Sequence, residues 1–305
     1  METTVAKVIQ MRYGQSVEAI KPLGGGYYGR AFLANVQGMT APVVVKLYLF
    51  DGLVENEALQ LETLARHATL KMPAIYGVYT TEETGCAHDA LIMEYLDGIN
   101  AGNLDASELS TEAKQVICEG IVDNLIAFHR TVNPVGFGEL SAKEFAPTWQ
   151  EVYRPKAQSI VHKARELRQM SQISDDVLAV FEKSFAHFDD IFCLPITEAR
   201  LVHGDYNTWN IMLTPDKSRA AYVIDPFGCA FADSEYDLYQ LDNANGKEFG
   251  LLKRYAEKMP LSENFLQKRL FYELYSEVNH YYDAHVTVNA DAVERMAKAL
   301  AAYLP

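Results

Sequence analysis

The stretch from Leu201 to Leu238, LVHGDYNTWNIMLTPDKSRAAYVIDPFGCAFADSEYDL, constrains the fold most, because short apolar runs in it alternate with clusters of polar side chains. Leu201-Val202 leads into His203-Gly204-Asp205, and Asn210 opens Ile211-Met212-Leu213. Pro215-Asp216 supplies a turn, after which Tyr222-Val223-Ile224 runs into Asp225. The pattern reads as strand, loop, strand, turn, strand. Two strands joined by a short turn bring Asn210 and Asp225 back towards each other. Asp205 lies five residues before Asn210, so two carboxylates and one amide are expected at one end of a small sheet.

Phosphoryl transfer needs such a set: one group to orient a hydroxyl nucleophile, and oxygen ligands for the Mg²⁺ that bridges the phosphates of ATP. Asp205 is the expected base or orienting group, with Asn210 and Asp225 as metal ligands. A lone His-Gly-Asp says little, since Asp often caps a turn. The ordered combination carries the reading.

Half of the 305 residues are hydrophobic (49%) and 22% are charged, which suits a globular chain able to bury a sizeable core. A net charge of −14 speaks against a nucleic-acid groove, which would show a basic stripe. It favours neutral or cationic partners, or serves solubility alone. Cys86, Cys118, Cys193 and Cys229 are scattered without a CxxC pair, as expected of reduced thiols in the cytoplasm. The opening METTVAKVIQMRYG has no long apolar core, and no run approaches ~18 apolar residues, so neither secretion nor a membrane span is expected.

Earlier in the chain, residues 3–11 suit a short helix and Val17 to Leu23 a strand. Gly24-Gly25-Gly26-Tyr27-Tyr28-Gly29 then fits GxGxxG, a pattern shared with dinucleotide folds. Those folds place a helix after the glycines. Here strands follow, Arg30 to Val36 and Pro42 to Tyr48, which favours a glycine hairpin draping backbone N–H groups over phosphates. Lys46 sits near the end of the third strand, where a cation could meet the ATP phosphates. Glu55 to Arg66 is rich in helix formers with apolar residues at helical spacing. Ala74 to Tyr79 and Ala90 to Met93 read as strands, the second running into Glu94-Tyr95-Leu96-Asp97-Gly98, polar and flexible as a hinge would be.

HGDxxxxN followed by Ile224-Asp225-Pro226 resembles the kinase-like small-molecule phosphotransferases: aminoglycoside phosphotransferases, choline kinases and fructosamine kinases. The resemblance implies a two-lobed, protein-kinase-like α+β fold, with a small antiparallel-sheet lobe over residues 1–98 and a larger helical lobe over 99–305. It implies ATP and Mg²⁺ as cofactors and the backbone of Met93, Glu94, Tyr95 and Leu96 against the adenine. Glu57, Leu61 and Leu64 match the family's E-x-x-x-L-x-x-L, which points to Glu57 as the partner of Lys46, with Glu55 and Glu62 as competitors. The tail Ala232-Asp233-Ser234-Glu235-Tyr236-Asp237-Leu238 also resembles the family, whose Asp in this place supports the catalytic loop. Asp225-Pro226 with Glu235 leans towards fructosamine kinases, whereas the hairpin Gly24, Gly25, Gly26, Tyr27 and Gly29 is closer to aminoglycoside phosphotransferases. A protein kinase would have Arg where Gly204 stands and a long segment after the metal Asp; only eleven residues separate Asp225 from Asp237.

In the remainder, Thr111 to Arg130 suits an amphipathic helix ending near His129, a histidine expected to be packed rather than catalytic. Two helices are expected over 148–192 with a break near Ser171 to Ser174, and three more at Lys247 to Met259, Glu263 to Asp283 and Ala290 to Tyr303. The aromatic and acidic mix of Tyr272 to Asp283 suits either a cationic substrate or plain core packing, with packing preferred. The acceptor is thus expected to be a small hydroxyl compound, a fructosamine, an aminoglycoside or an amino alcohol, with no nucleic acid and no membrane. The other class still open is a nucleotide-binding pseudoenzyme acting through interactions. Oligomeric state is left open by the sequence.

Overall fold

The structure, a computed structural model, describes residues 1–305 and divides into two compact units. One comprises Met1–Asn124 with Thr208–Phe227, the other Leu125–Asn207 with Gly228–Pro305. The chain therefore passes from one unit to the other between Asn207 and Thr208, inside the stretch from Leu201 to Leu238.

The first unit is built on five antiparallel strands: β1 (Val17–Gly25), β2 (Gly29–Val36), β3 (Val43–Tyr48), β4 (Ile75–Tyr79) and β5 (Ala90–Glu94), in the order β1-β2-β3-β5-β4. In β3 the period of two buries Val43, Val45 and Leu47 and turns Lys46 to the opposite face. On the buried face, Val5, Val8 and Ile9 of helix α1 (Glu2–Tyr13) complete an apolar cluster with Phe32, Val36 and Ile92. Each such side chain contributes ~1.5–3 kcal/mol when fully buried. Helix α2 (Leu53–Ala65) packs near β4 and β5, and a short α3 (Thr81–Thr84) is closed by a Thr80–Glu83 capping box.

This unit reaches beyond residue 98, the expected lobe boundary, for two reasons. Strand β6 (Ile99–Asn100) pairs with β10 (Ile211–Leu213), which pairs in turn with β11 (Ala220–Val223). In addition, helix α4 (Thr111–His129) offers Asn124 Oδ1 to the backbone N–H groups of Thr69 (2.8 Å) and Leu70 (2.9 Å).

The second unit joins a small antiparallel sheet to a helical core. Its strands β7 (Val132–Asn133), β8 (Gly138–Glu139), β9 (Ala199–Val202) and β12 (Ala230–Ala232) lie in the order β7-β9-β12-β8. Helices α5 (Trp149–Gln169), α6 (Asp175–Ala186), α7 (Phe188–Ile191), α8 (Gly246–Phe249), α9 (Leu251–Lys258), α10 (Phe265–Asp283) and α11 (Ala290–Ala301) complete it. The α10 residues Phe271, Tyr272, Leu274, Tyr275 and Val278 are buried at helical spacing, so the tyrosines at its centre pack in the core. The helix expected over Lys247 to Met259 is instead two, because Gly250 adopts a left-handed φ of 69° and ends α8. A 3-10 helix over Ser234–Asp242, absent from the sequence expectation, follows β12.

Candidate active site

Within the first unit, the β10–β11 hairpin sets the two proposed metal ligands. Ile211 pairs with Val223, and the N–H of Ile224 donates to the Asn210 carbonyl at 3.0 Å. That register places Asn210 directly before one strand and Asp225 just past the end of the other. Asp225 adopts φ 57°, a left-handed conformation that non-glycine residues rarely hold. Such strain concentrates at functional sites. Its carboxylate is half-exposed and forms an ion pair with Lys46.

Lys46 also reaches Glu57 of α2, its Nζ lying 2.7 Å from Oε2 and 2.9 Å from Oε1. Of the three acidic candidates on that helix, Glu57 is buried while Glu55 and Glu62 are exposed. Burial alone would lower the Lys46 pKa, but the carboxylates of Asp225 and Glu57 outweigh it and the net shift is upward. Glu57 is raised by its burial, against the opposing pull of Lys46. Lys46 therefore stays charged, held between two acids.

The glycine hairpin closes against this group in a way the sequence did not foretell. Arg30 donates to the carbonyls of Gly26 and Gly29, stapling the hairpin tip. A Cβ on Gly29 would meet the Leu47 carbonyl at 2.9 Å, so only glycine allows β2 to lie this close to β3. Tyr28 stacks on Phe227, two residues past Asp225, with ring centroids 4.7 Å apart and planes at 18°. Hairpin tip and Asp225 turn are thus neighbours within one unit. At the end of β5, the N–H of Glu94 is bonded to the Ala74 carbonyl at 2.8 Å, and its carboxylate pairs with Lys71.

Asp205 belongs to the second unit, on the loop after β9. The side-chain amide of Asn207 donates to its Oδ1 at 2.7 Å, orienting the carboxylate. Behind it, the fully buried Asp237 accepts the backbone N–H of His203 at 2.8 Å and of Gly204 at 2.7 Å. His129, also fully buried, meets Asp237 Oδ2 at 3.2 Å through Nε2 and the Tyr255 hydroxyl at 2.8 Å through Nδ1. A buried carboxylate accepting two amides fixes the loop backbone. His129 supports that arrangement from behind as a packed histidine.

A five-stranded antiparallel sheet carrying a part-buried lysine–glutamate pair, followed by a helical unit, is the build of a kinase-like phosphotransferase. The chain belongs to the phosphotransferase enzyme family, whose model matches residues 19–257. It is 24% identical over 253 residues to an Escherichia coli (strain K12) protein named "Probable ketoamine kinase YniA", covering 80% of each chain. Among solved structures, a Haemophilus somnus protein assigned as a fructosamine-3-kinase shares the fold with a TM-score of 0.74 at 17% identity, over 99% of this chain and 97% of that one. The ADP-bound aminoglycoside phosphotransferase APH(2'')-Ib does so with a TM-score of 0.67 at 19% identity, over 98% and 97%.

Proposed function

We propose that this protein is an ATP-dependent, cytoplasmic kinase that transfers the γ-phosphoryl group to a hydroxyl of a small sugar or amino-sugar derivative. The observation that carries this reading is the Lys46 ammonium held between Glu57 and Asp225, with Asn210 set beside Asp225 by the hairpin register. No group of three or more acidic, histidine or cysteine side chains that could hold a metal is assembled. A two-ligand set of Asn210 and Asp225 suits Mg²⁺, which keeps waters and substrate phosphates in its shell. Bound Mg²⁺ would neutralise charge on the bridging phosphate oxygens.

The residues of the chain do the rest. Lys46 draws the phosphates towards β3, and the N–H groups of the glycine hairpin cover them. The main chain from Met93 to Leu96, where β5 ends, meets the adenine edge, with the Glu94 N–H itself engaged by the Ala74 carbonyl. Asp205, oriented by Asn207, accepts the proton of the acceptor hydroxyl as it attacks in line. The likeness to ketoamine and fructosamine kinases favours a ketoamine sugar, and the glycine hairpin keeps aminoglycosides as the next candidates.

ADP release on adding ketoamine sugars, aminoglycosides, amino alcohols and other hydroxyl compounds tests the reading. Asp205→Ala is expected to lower turnover by about 100-fold or more while changing Mg–ATP affinity little. Parent-like turnover in that variant would remove Asp205 from the chemistry. Silence with all four acceptor groups would favour a nucleotide-binding interaction protein.

A further inference from the structure

Asp233, Glu235 and Asp237 crowd three carboxylates into one turn, and none is more than 6% exposed. Asp237 faces the catalytic loop, as described above. The other two meet Lys268 of α10, itself 3% exposed, whose Nζ lies 2.8 Å from Asp233 Oδ2 and 2.7 Å from Glu235 Oε2. Asp233 also accepts the Tyr272 hydroxyl at 2.9 Å, and that hydroxyl in turn accepts Trp149 Nε1–H at 2.8 Å. Its second oxygen caps the turn by accepting the Glu235 N–H at 3.1 Å. Glu235 accepts the backbone N–H and the hydroxyl of Ser262 at 2.6 and 2.7 Å. Burial would lower the pKa of Lys268, but the two carboxylates outweigh it and hold the ammonium charged.

Without Lys268, two buried carboxylates would face each other uncompensated, and the turn could relieve them only by moving. Any such movement would carry Asp237 with it. We propose that Lys268 is a positioning residue for the catalytic loop: by neutralising Asp233 and Glu235 it locks the turn in the conformation that presents Asp237 to the amides of His203 and Gly204. The inference rests on the proposed role of Asp205 for its effect on turnover, but not for its effect on loop order.

Amide hydrogen exchange of the full chain, followed by mass spectrometry, reads the loop without needing an acceptor. In Lys268→Met, exchange in the 201–206 segment is expected to quicken about tenfold, with the β1–β2 hairpin unchanged. The neutral triple variant Asp233→Asn, Glu235→Gln, Lys268→Met should recover most of that protection. Parent-like exchange at 201–206 in Lys268→Met overturns the proposal. So does a uniform quickening across the chain, which would mark a merely structural role. Should Lys268→Met fail to fold, Lys268→Gln replaces it, keeping hydrogen-bond donors without the charge; selective quickening at 201–206 supports the proposal and its absence overturns it. With an acceptor in hand, Lys268→Met should lower kcat and leave the KM for ATP unchanged, and the triple variant should recover most of the lost kcat.

Discussion

Lys46 answers two carboxylates at once, and its removal would leave the buried Glu57 with no cation. Lys46→Met is therefore expected to destabilise the protein by about 1–3 kcal/mol, measured by urea denaturation. The loss should shrink on acidification. Glu57 has a folded pKa raised above its ordinary value of 4.5, chiefly by burial. Its contribution is thus fully present below the ordinary value and is lost as pH rises through the raised one. Removing Lys46 removes the pull that opposes the rise and widens this window. The gap in stability between variant and parent should then narrow as pH falls towards 4.5, and a constant gap would contradict the pairing. Glu57 was legible beforehand through the family resemblance, in which it, Leu61 and Leu64 fill E-x-x-x-L-x-x-L. Lys268 was not, since nothing near it in the sequence announces Asp233 and Glu235, more than thirty residues earlier.

Among the elements, the β1–β2 hairpin depends most on one residue. Gly29→Val would drive a branched side chain into the Leu47 carbonyl and Lys46 Cε, 2.9 and 3.3 Å from a Cβ placed there. The hairpin would lift from β3, and Mg–ATP affinity by calorimetry should fall about tenfold, roughly 1.4 kcal/mol. Unchanged affinity would detach the hairpin from the nucleotide. The long strands and helices could be read from periodicity, because β3 and α10 each repeat their apolar positions several times. Strands β6, β7 and β8 could not: two residues show no alternation, and only distant partners such as Met212 and Leu213 create them. Arg30 escaped notice for a similar reason, since a side chain bonding main-chain carbonyls of its own hairpin leaves no pattern.

For the whole molecule, the four cysteines form a graded reporter of access. Cys193 is exposed, Cys86 intermediate, and Cys118 and Cys229 buried, all four as free thiols. Burial, with the charge of Asp237 adding to it, pushes the Cys229 thiol pKa well up. Labelling with a thiol reagent should therefore modify Cys193 first and Cys229 only under denaturant; early labelling of Cys229 would show that the Asp237 region opens in the native state. The fold class was open to reading because the motifs between His203 and Asp225 carried the family resemblance that implied it. Where one compact unit ends was not, because it is decided by pairing between residues a hundred positions apart, as with Asn100 and Met212.

The pairing of Lys46 with Asp225 has an outcome for how a nucleotide would be received. On the proposed reading, the resting protein already supplies its own counter-ion at the metal-binding carboxylate. A magnesium ion held by Asn210 and Asp225 would take the place of that ammonium, leaving Lys46 for an incoming anion. The carboxylate would then never be left bare, and loading would be a relay of partners rather than the filling of a naked negative hole.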